Sequence, residues 1–238
     1  MSWSGPGTYS YSWTPPQRTG RITTSRTELL HLGVAYVVLT ACLTLVFSGY
    51  TYLGGGLAAP GFHGITVTFL VVAALAALTG FVAHELAHKV VAQRLGFWAE
   101  FRASAYGLAL AIFTSVLGFI LAAPGATVVG GMSEIDRTSW GRTSLAGPMS
   151  NLGFALLFYL GAIGTYLAHS DLFVWALLIA YINSWFATFN LFPFGVLDGA
   201  KVWRWSRGIW GGALALALAA LAVSALALYV YGSPFLGA

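Results

Sequence analysis

The chain has 238 residues, 58% of them hydrophobic and only 8% charged, with 11 Lys and Arg against 7 Asp and Glu. A water-soluble domain carries about 25% charged residues, so these few cannot coat a water-facing globule, and a soluble enzyme, a disordered tail and a nucleic-acid binder are all excluded. Positive charge in so apolar a chain marks one face of a membrane, and the composition reads as an all-α polytopic membrane protein.

Residues 1–28 form a polar tail rich in Ser, Thr, Gly and Pro, with Arg18, Arg21 and Arg26 near its end and Trp3, Tyr9, Tyr11 and Trp13 as interfacial aromatics. No short apolar core with a small-residue cleavage site marks a signal peptide. Five apolar stretches follow, at about 29–50, 65–92, 144–168, 172–192 and 209–231, each long enough to cross roughly 30 Å of hydrocarbon as a helix. They define a membrane domain over 29–231 with its core at 65–200, followed by a short tail at 232–238. Gly54-Gly55-Gly56 reads as a turn, and the Gly/Ala-rich run from Gly211 to Ala227 as a packing helix. The single cysteine, Cys42, can form neither an internal disulfide nor a Cys-type zinc site.

Charge sets the expected topology. With the N-terminus cytoplasmic, all 11 basic residues fall on the cytoplasmic side and the C-terminus lies outside. That holds only if residues 93–143 leave and re-enter on one face. The apolar stretch 106–123 should therefore dip into the membrane and return through an extended limb, Ala123-Pro124-Gly125-Ala126-Thr127-Val128-Val129-Gly130-Gly131, where Pro and Gly oppose a helix. Extended backbone at membrane depth needs protein or a watery cavity around it, so this re-entrant helix/extended element is expected to pack on other helices and not on lipid.

The second stretch runs without a charge from Ile65 to Ala83 and then reads His84-Glu85-Leu86-Ala87-His88. Imidazoles four residues apart share a helix face and can bind one metal ion, while Glu85 stands where a carboxylate can take a proton from water. Zinc suits the task because it lowers the pKa of a water bound to it towards about 7. About 28 Å of helical rise precedes His84, which puts the motif near the cytoplasmic end of its span. A catalytic zinc wants a third protein ligand and an open position. His63, His169 and Asp171 belong to outer loops, His31 opens the first span at the interface, Glu28 precedes that span, and Glu100, Glu134 and Asp136 lie in polar connections. Asp198, ending the apolar run Trp185 to Leu197 at the depth of the His pair, is the expected third ligand. Gly147, Pro148 and Asn151 read as site-supporting residues: Pro148 in the first turn of its helix, Gly147 for close helix approach, Asn151 as a hydrogen bonder to a neighbouring helix. Pro193 should break its helix between Asn190 and Asp198.

His84-Glu85-Leu86-Ala87-His88, Gly147-Pro148-Met149-Ser150-Asn151 and Asn190-Leu191-Phe192-Pro193-Phe194-Gly195-Val196-Leu197-Asp198-Gly199, in that order on suitable spans, resemble the three motifs of site-2 proteases, the intramembrane zinc metalloproteases. The resemblance covers about 65–200. It implies one zinc ion on His84, His88 and Asp198, Glu85 as general base, and Asn190 as a residue that positions substrate or stabilises the oxyanion. It also implies a re-entrant β-hairpin between the first two motifs, and the chain reads as a minimal form without PDZ or CBS domain. The expected activity is a zinc endopeptidase acting within the bilayer of the cell membrane on transmembrane segments of membrane-anchored proteins, with the limb around Val128 pairing to the unwound substrate as an added strand. The alternative is a non-proteolytic zinc-binding membrane scaffold or a metal transporter. A transporter would spread polar residues along a path through several spans, whereas here they cluster at one depth.

Overall fold

The computed structural model describes residues 22–49, 66–120, 124–130 and 136–232. The N-terminal aromatics, the 51–64 connection with His63 and the glycine turn, Glu134 and the tail beyond 232 lie outside the described residues.

Among the described residues five helices are long and apolar enough to cross a membrane, as the all-α polytopic reading expected. Helix α1 (Arg26–Phe47) starts where the Ser25 hydroxyl accepts the Glu28 N–H. Helix α2 (Val67–Ala77), a π-helical turn at Leu78–Val82 and helix α3 (Ala83–Arg94) run on as one span. Strand β1 (Trp98–Ala103), helix α4 (Ala105–Val116) and strand β2 (Gly125–Gly130) fill the connection to helix α5 (Arg137–Leu167). Helix α6 (Leu172–Asn190), short helix α7 (Asp198–Trp205) and helix α8 (Arg207–Ala227) follow, α8 running on into a π-helical turn at Leu228–Gly232. Leu39, Phe47, Phe69, Phe81, Phe101 and Leu178 meet in a core shared by α1, the α2–α3 span, β1 and α6. Much of the outer surface of the spans is apolar, with Leu156, Leu157, Leu160, Leu216 and Leu226 exposed, as lipid solvation requires.

Helix α5 begins seven residues before the apolar stretch that marks it. Asp136 caps its first turn through the Ser139 N–H at 3.0 Å, and hydrogen bonds from Ser139 hold the Asp136 carboxyl below the usual carboxylate range. Pro148 is therefore mid-helix, not in the first turn, because hydropathy marks only the part of a helix that meets hydrocarbon.

The connection from α3 to α5 leaves and returns on one face. His88, six residues before the end of α3, donates to the Thr143 carbonyl, six residues after the start of α5, so the two helix ends lie at about one level. Between them β1 and β2 pair antiparallel, Glu100 opposite Val128 and Phe101 opposite Thr127. This is a β-hairpin of the kind the resemblance implies, but its first strand lies at Trp98–Ala103, ahead of the 106–123 stretch and not within 106–130 where the re-entrant element was expected. Helix α4 packs on α1 on one side, Leu110 lines the cavity beside Glu85, and Ile112, Phe113 and Val116 are exposed, so the described residues do not enclose the whole element. A helix satisfies its own backbone and tolerates hydrocarbon; only the strands need cover.

The hairpin's two edges are treated differently. On the outer side of β1, the Phe101 N–H donates to Glu28 Oε1 at 3.1 Å, the Ala103 N–H to His31 Nδ1 at 3.3 Å, and the Ala99 carbonyl accepts from Gln93 Nε2 at 2.9 Å. On β2 the Thr127 N–H goes to Glu85. Phe101 and Thr127 are thus a non-hydrogen-bonded pair, and the alternation of an antiparallel ladder then points the backbone groups of Gly125, Thr127 and Val129 away from β1. Val128 pairs inward with Glu100 and exposes only its side chain.

Glu28 ties this hairpin to the His-bearing helix. Its carboxylate is fully buried, takes the Phe101 N–H on one oxygen and pairs through the other with Lys89 Nζ, which also donates to Thr24 Oγ1 at 2.8 Å. Ser25-x-x-Glu28 has the spacing of a capping box, but the carboxylate is diverted from its own helix to this cluster. Breaking a buried pair by removing one partner costs about 3–5 kcal/mol. Lys89→Met should therefore lower the thermal midpoint in detergent sharply, and Glu28→Gln with Lys89→Met should recover much of the loss; an unchanged midpoint in the single variant would contradict the pairing.

Candidate metal centre

His84 and His88 lie on α3 and Asp198 is the first residue of α7, and all three are buried. The two Nε2 atoms are 3.0 Å apart, and Asp198 Oδ2 lies 3.3 Å from His84 Nε2 and 3.0 Å from His88 Nε2. These are the three residues that the sequence expected to act as ligands, brought together from two helices distant in the chain.

The surrounding hydrogen bonds decide which ring nitrogens carry protons. Asn151 donates through Nδ2 to the Gly80 carbonyl at 2.9 Å and to Asn183 Oδ1 at 3.3 Å, which leaves its Oδ1 to accept from His84 Nδ1 at 2.6 Å. Asn183 is fixed in turn by donating to Thr79 Oγ1 at 2.9 Å and to the Ile179 carbonyl at 3.0 Å. His88 Nδ1 donates to the Thr143 carbonyl at 2.7 Å. Both partners are acceptors, so in the neutral rings the proton sits on Nδ1 and the Nε2 lone pair faces the other imidazole and the carboxylate. Three acceptor atoms converging in a buried space call for a cation among them. Ligand atoms of a tetrahedral zinc with bonds of roughly 2.0–2.1 Å stand about 3.3 Å apart, and the separations here fit that centre. The hydroxyl of Thr143, buried in the same wall, has no partner among the described residues.

The local sequence explains the approach of the elements. A Cβ on Gly147 would lie 2.6 Å from His84 Nε2 and closer still to His88 Nε2, so only glycine lets α5 lie against the ring pair. Gly80 does the same for the Phe186 ring of α6. A Cβ on Gly199 would overlap the Leu191 carbonyl, so the residue after Asp198 allows the start of α7 to press against the end of α6. Helix α6 ends at Asn190, ahead of Pro193, as expected, and the following turn passes through Gly195 at φ 60°.

Glu85 stands beside the centre. Its Oε2 accepts the Thr127 N–H and the Thr127 hydroxyl, both at 2.8 Å, while Oε1 takes no hydrogen bond among the described residues. It lines a cavity of about 330 Å3 with His84, His88, Thr127, Asn190 and Asp198. Asn190 spends one amide proton on the Phe186 carbonyl at 3.0 Å and keeps a second. Pro148 and Asn151 are buried in α5, Asn151 against His84. His169 and Asp171 lie in the exposed turn between α5 and α6, at the far end of both helices. Sequence reasoning missed Thr127, Thr79, Asn183 and the Glu28–Lys89 pair. Asn183 carried a signal, since an amide in the middle of an apolar span needs a partner.

No protein-family model and no solved structure matches the chain. A protein of Methanocaldococcus jannaschii named "Putative zinc metalloprotease MJ0611" is 33% identical over 147 residues, covering 61% of this chain and 75% of that protein. The chain belongs to this zinc metalloprotease family. The buried His84, His88 and Asp198 group has the donor set to hold a zinc ion, with both imidazole Nδ1 protons already committed, and Asn151 and the Thr143 carbonyl are the partners that orient the rings.

Loss of an orienting partner typically lowers metal affinity by about 10–100-fold. Asn151→Ala should weaken zinc binding by that factor in a competition titration against a chromogenic chelator. Gly147→Ala should leave the purified protein with much less than the wild-type zinc content; full zinc occupancy in that variant would mean that α5 does not press on the imidazoles.

Proposed function

We propose that the protein is an intramembrane endopeptidase of the site-2 type, with one zinc ion on His84, His88 and Asp198, cleaving transmembrane segments of membrane-anchored proteins. The reading rests above all on the position of Glu85, buried in a cavity beside three converging ligand atoms at the end of a membrane-spanning helix. We place the site near the cytoplasmic side of the cell membrane, with the N-terminus cytoplasmic and the C-terminus outside. In support, the described Lys and Arg residues sit on the face that carries the site: at the starts of α1, α5 and α8, the end of α3, on β1 and on α7.

A zinc ion held there supplies Lewis acidity to water and to the scissile carbonyl. Glu85 takes the proton of the attacking water and later delivers it to the leaving amine. Thr127 holds Glu85 Oε2 through two hydrogen bonds, which leaves Oε1 to move the proton. Asn190 offers its remaining amide N–H to the developing oxyanion.

A transmembrane helix hides its amides in i→i−4 bonds and must unwind before it can be cut. The open edge of β2 compensates, because an extended segment can pair with the outward backbone groups of Gly125 and Val129 and with the Thr127 carbonyl, the Thr127 N–H being held by Glu85. The face of Val128 that carries its N–H is already used by β1, so the residue at which proline blocks an added strand is Val129.

Cleavage of a reconstituted transmembrane substrate tests the reading. Glu85→Gln should abolish cleavage with zinc content unchanged; proteolysis by that variant would exclude the mechanism, and a zinc-loaded wild-type protein that cuts no substrate in a panel would favour the scaffold or transporter. Asn190→Ala should lower kcat by about 100-fold, the usual loss of one oxyanion donor. Val129→Pro should slow cleavage while the zinc content holds, and equal rates in that variant and wild type would count against strand addition.

A further inference from the structure

A second cavity, of about 650 Å3, is lined by Arg137, Trp140, Lys201, Trp203, Arg204 and Arg207. Arg137 and Arg207 are the first residues of the membrane-spanning helices α5 and α8. Helix α6 returns the chain to the face from which α5 departs, so both arginines stand at the same membrane surface. Four cations in one concavity repel one another, and among the described residues little offsets this. Lys201 lies 3.6 Å from Asp198, but no carboxylate among the described residues pairs with Arg137, Arg204 or Arg207. Arg207 rests 5.1 Å above the Trp203 ring and Lys201 5.8 Å above the Trp140 ring. Trp203 is itself braced edge-on by Trp210 at 4.5 Å. The rings hold the long cationic side chains in place without neutralising them.

The chemistry selects an anion with several acceptor oxygens, for which the arginine fork is suited. The depth selects its source. Tryptophans and first-turn arginines of two spans lie at the headgroup level of a bilayer, where phosphate is already present, and a basic pocket between spans at that level fits an anionic lipid. A protein segment is the weaker candidate, because the flank of a membrane-spanning substrate at a positive face carries Lys and Arg, which this cavity repels.

We propose that this cavity binds the phosphodiester headgroup of an anionic phospholipid. Trp140 and Lys201 also line the catalytic cavity, so the bound headgroup forms part of the wall of that cavity.

The test uses the full chain in nanodiscs of phosphatidylcholine mixed with phosphatidylglycerol, released for native mass spectrometry, with retained lipids counted. Wild type should retain phosphatidylglycerol in excess of its share of the nanodisc. Arg204→Gln and Arg207→Gln should each lower that enrichment by roughly fivefold, the effect of one cation near an anionic headgroup. Arg94→Gln, which removes an exposed charge at the end of α3 outside the cavity, should leave it unchanged. Thermal midpoints are measured for each variant, and if one of the two cavity variants unfolds the other carries the comparison. Equal retention of both lipids by wild type overturns the proposal, as does a folded Arg207→Gln that keeps full enrichment. Inorganic phosphate stabilising the protein in pure phosphatidylcholine as strongly as phosphatidylglycerol does would make this a site for a free ion, and displacement of the lipid by an acidic peptide would make it a protein site; either result overturns the lipid assignment.

Discussion

The structure depends on two imidazoles that must present lone pairs to the same point. Left to themselves, neutral histidines four residues apart on a helix rotate freely and take either tautomer. Here each Nδ1 is committed to an acceptor on α5: the Asn151 amide oxygen for His84 and the Thr143 carbonyl for His88. The amide that fixes His84 is fixed in turn by Asn183 on α6 and by the Gly80 carbonyl in the π-helical turn. Side chains from three spans are thus arranged so that one pair of ring nitrogens has no choice of proton. That arrangement requires α5 to approach at backbone distance, which Gly147 permits, and α7 to start against the end of α6, which Gly199 permits.

Around this centre the hairpin acts as a wall with one finished and one unfinished side. The outer edge of β1 is closed by side chains of Glu28, His31 and Gln93, which removes it as a template for pairing. The edge of β2 turns its backbone toward the cavity, and the one N–H there that is already used holds the Glu85 carboxylate. The Glu28–Lys89 pair binds the closed side to the helix that carries the histidines, so the hairpin and the centre are positioned by one cluster of buried charge.

The metal-binding group was legible because its signals are local and chemically costly. His84 and His88 share a helix face by spacing alone, Glu85 follows the first of them directly, and Asp198 stands out where acidic residues are few. The spans were legible from hydropathy, but their ends were not. Helix α5 extends through Arg137–Thr143 beyond the apolar stretch, and that shift moved Pro148 from the first turn to the interior. Strand β1 was overlooked although Ala99-Glu100-Phe101-Arg102-Ala103 alternates apolar and polar residues, because the run is short and its outer edge is satisfied largely by Glu28 and His31 of α1, far off in sequence. Thr127 was missed for a similar reason. A threonine in a strand is ordinary, and its place against Glu85 follows from the fold of the hairpin over α3.

The π-helical turn at Leu78–Val82 has a consequence for the whole span. One residue more than a regular turn holds rotates everything after it by about 100° relative to everything before. Upstream, α2 directs its small and apolar side chains at α1; downstream, α3 directs its imidazoles at α5. A helix of uniform pitch could not face both neighbours with these residues in this order. The widened turn is therefore a rotary offset that lets a single rod serve as a packing strut over one half of its length and as a reactive surface over the other.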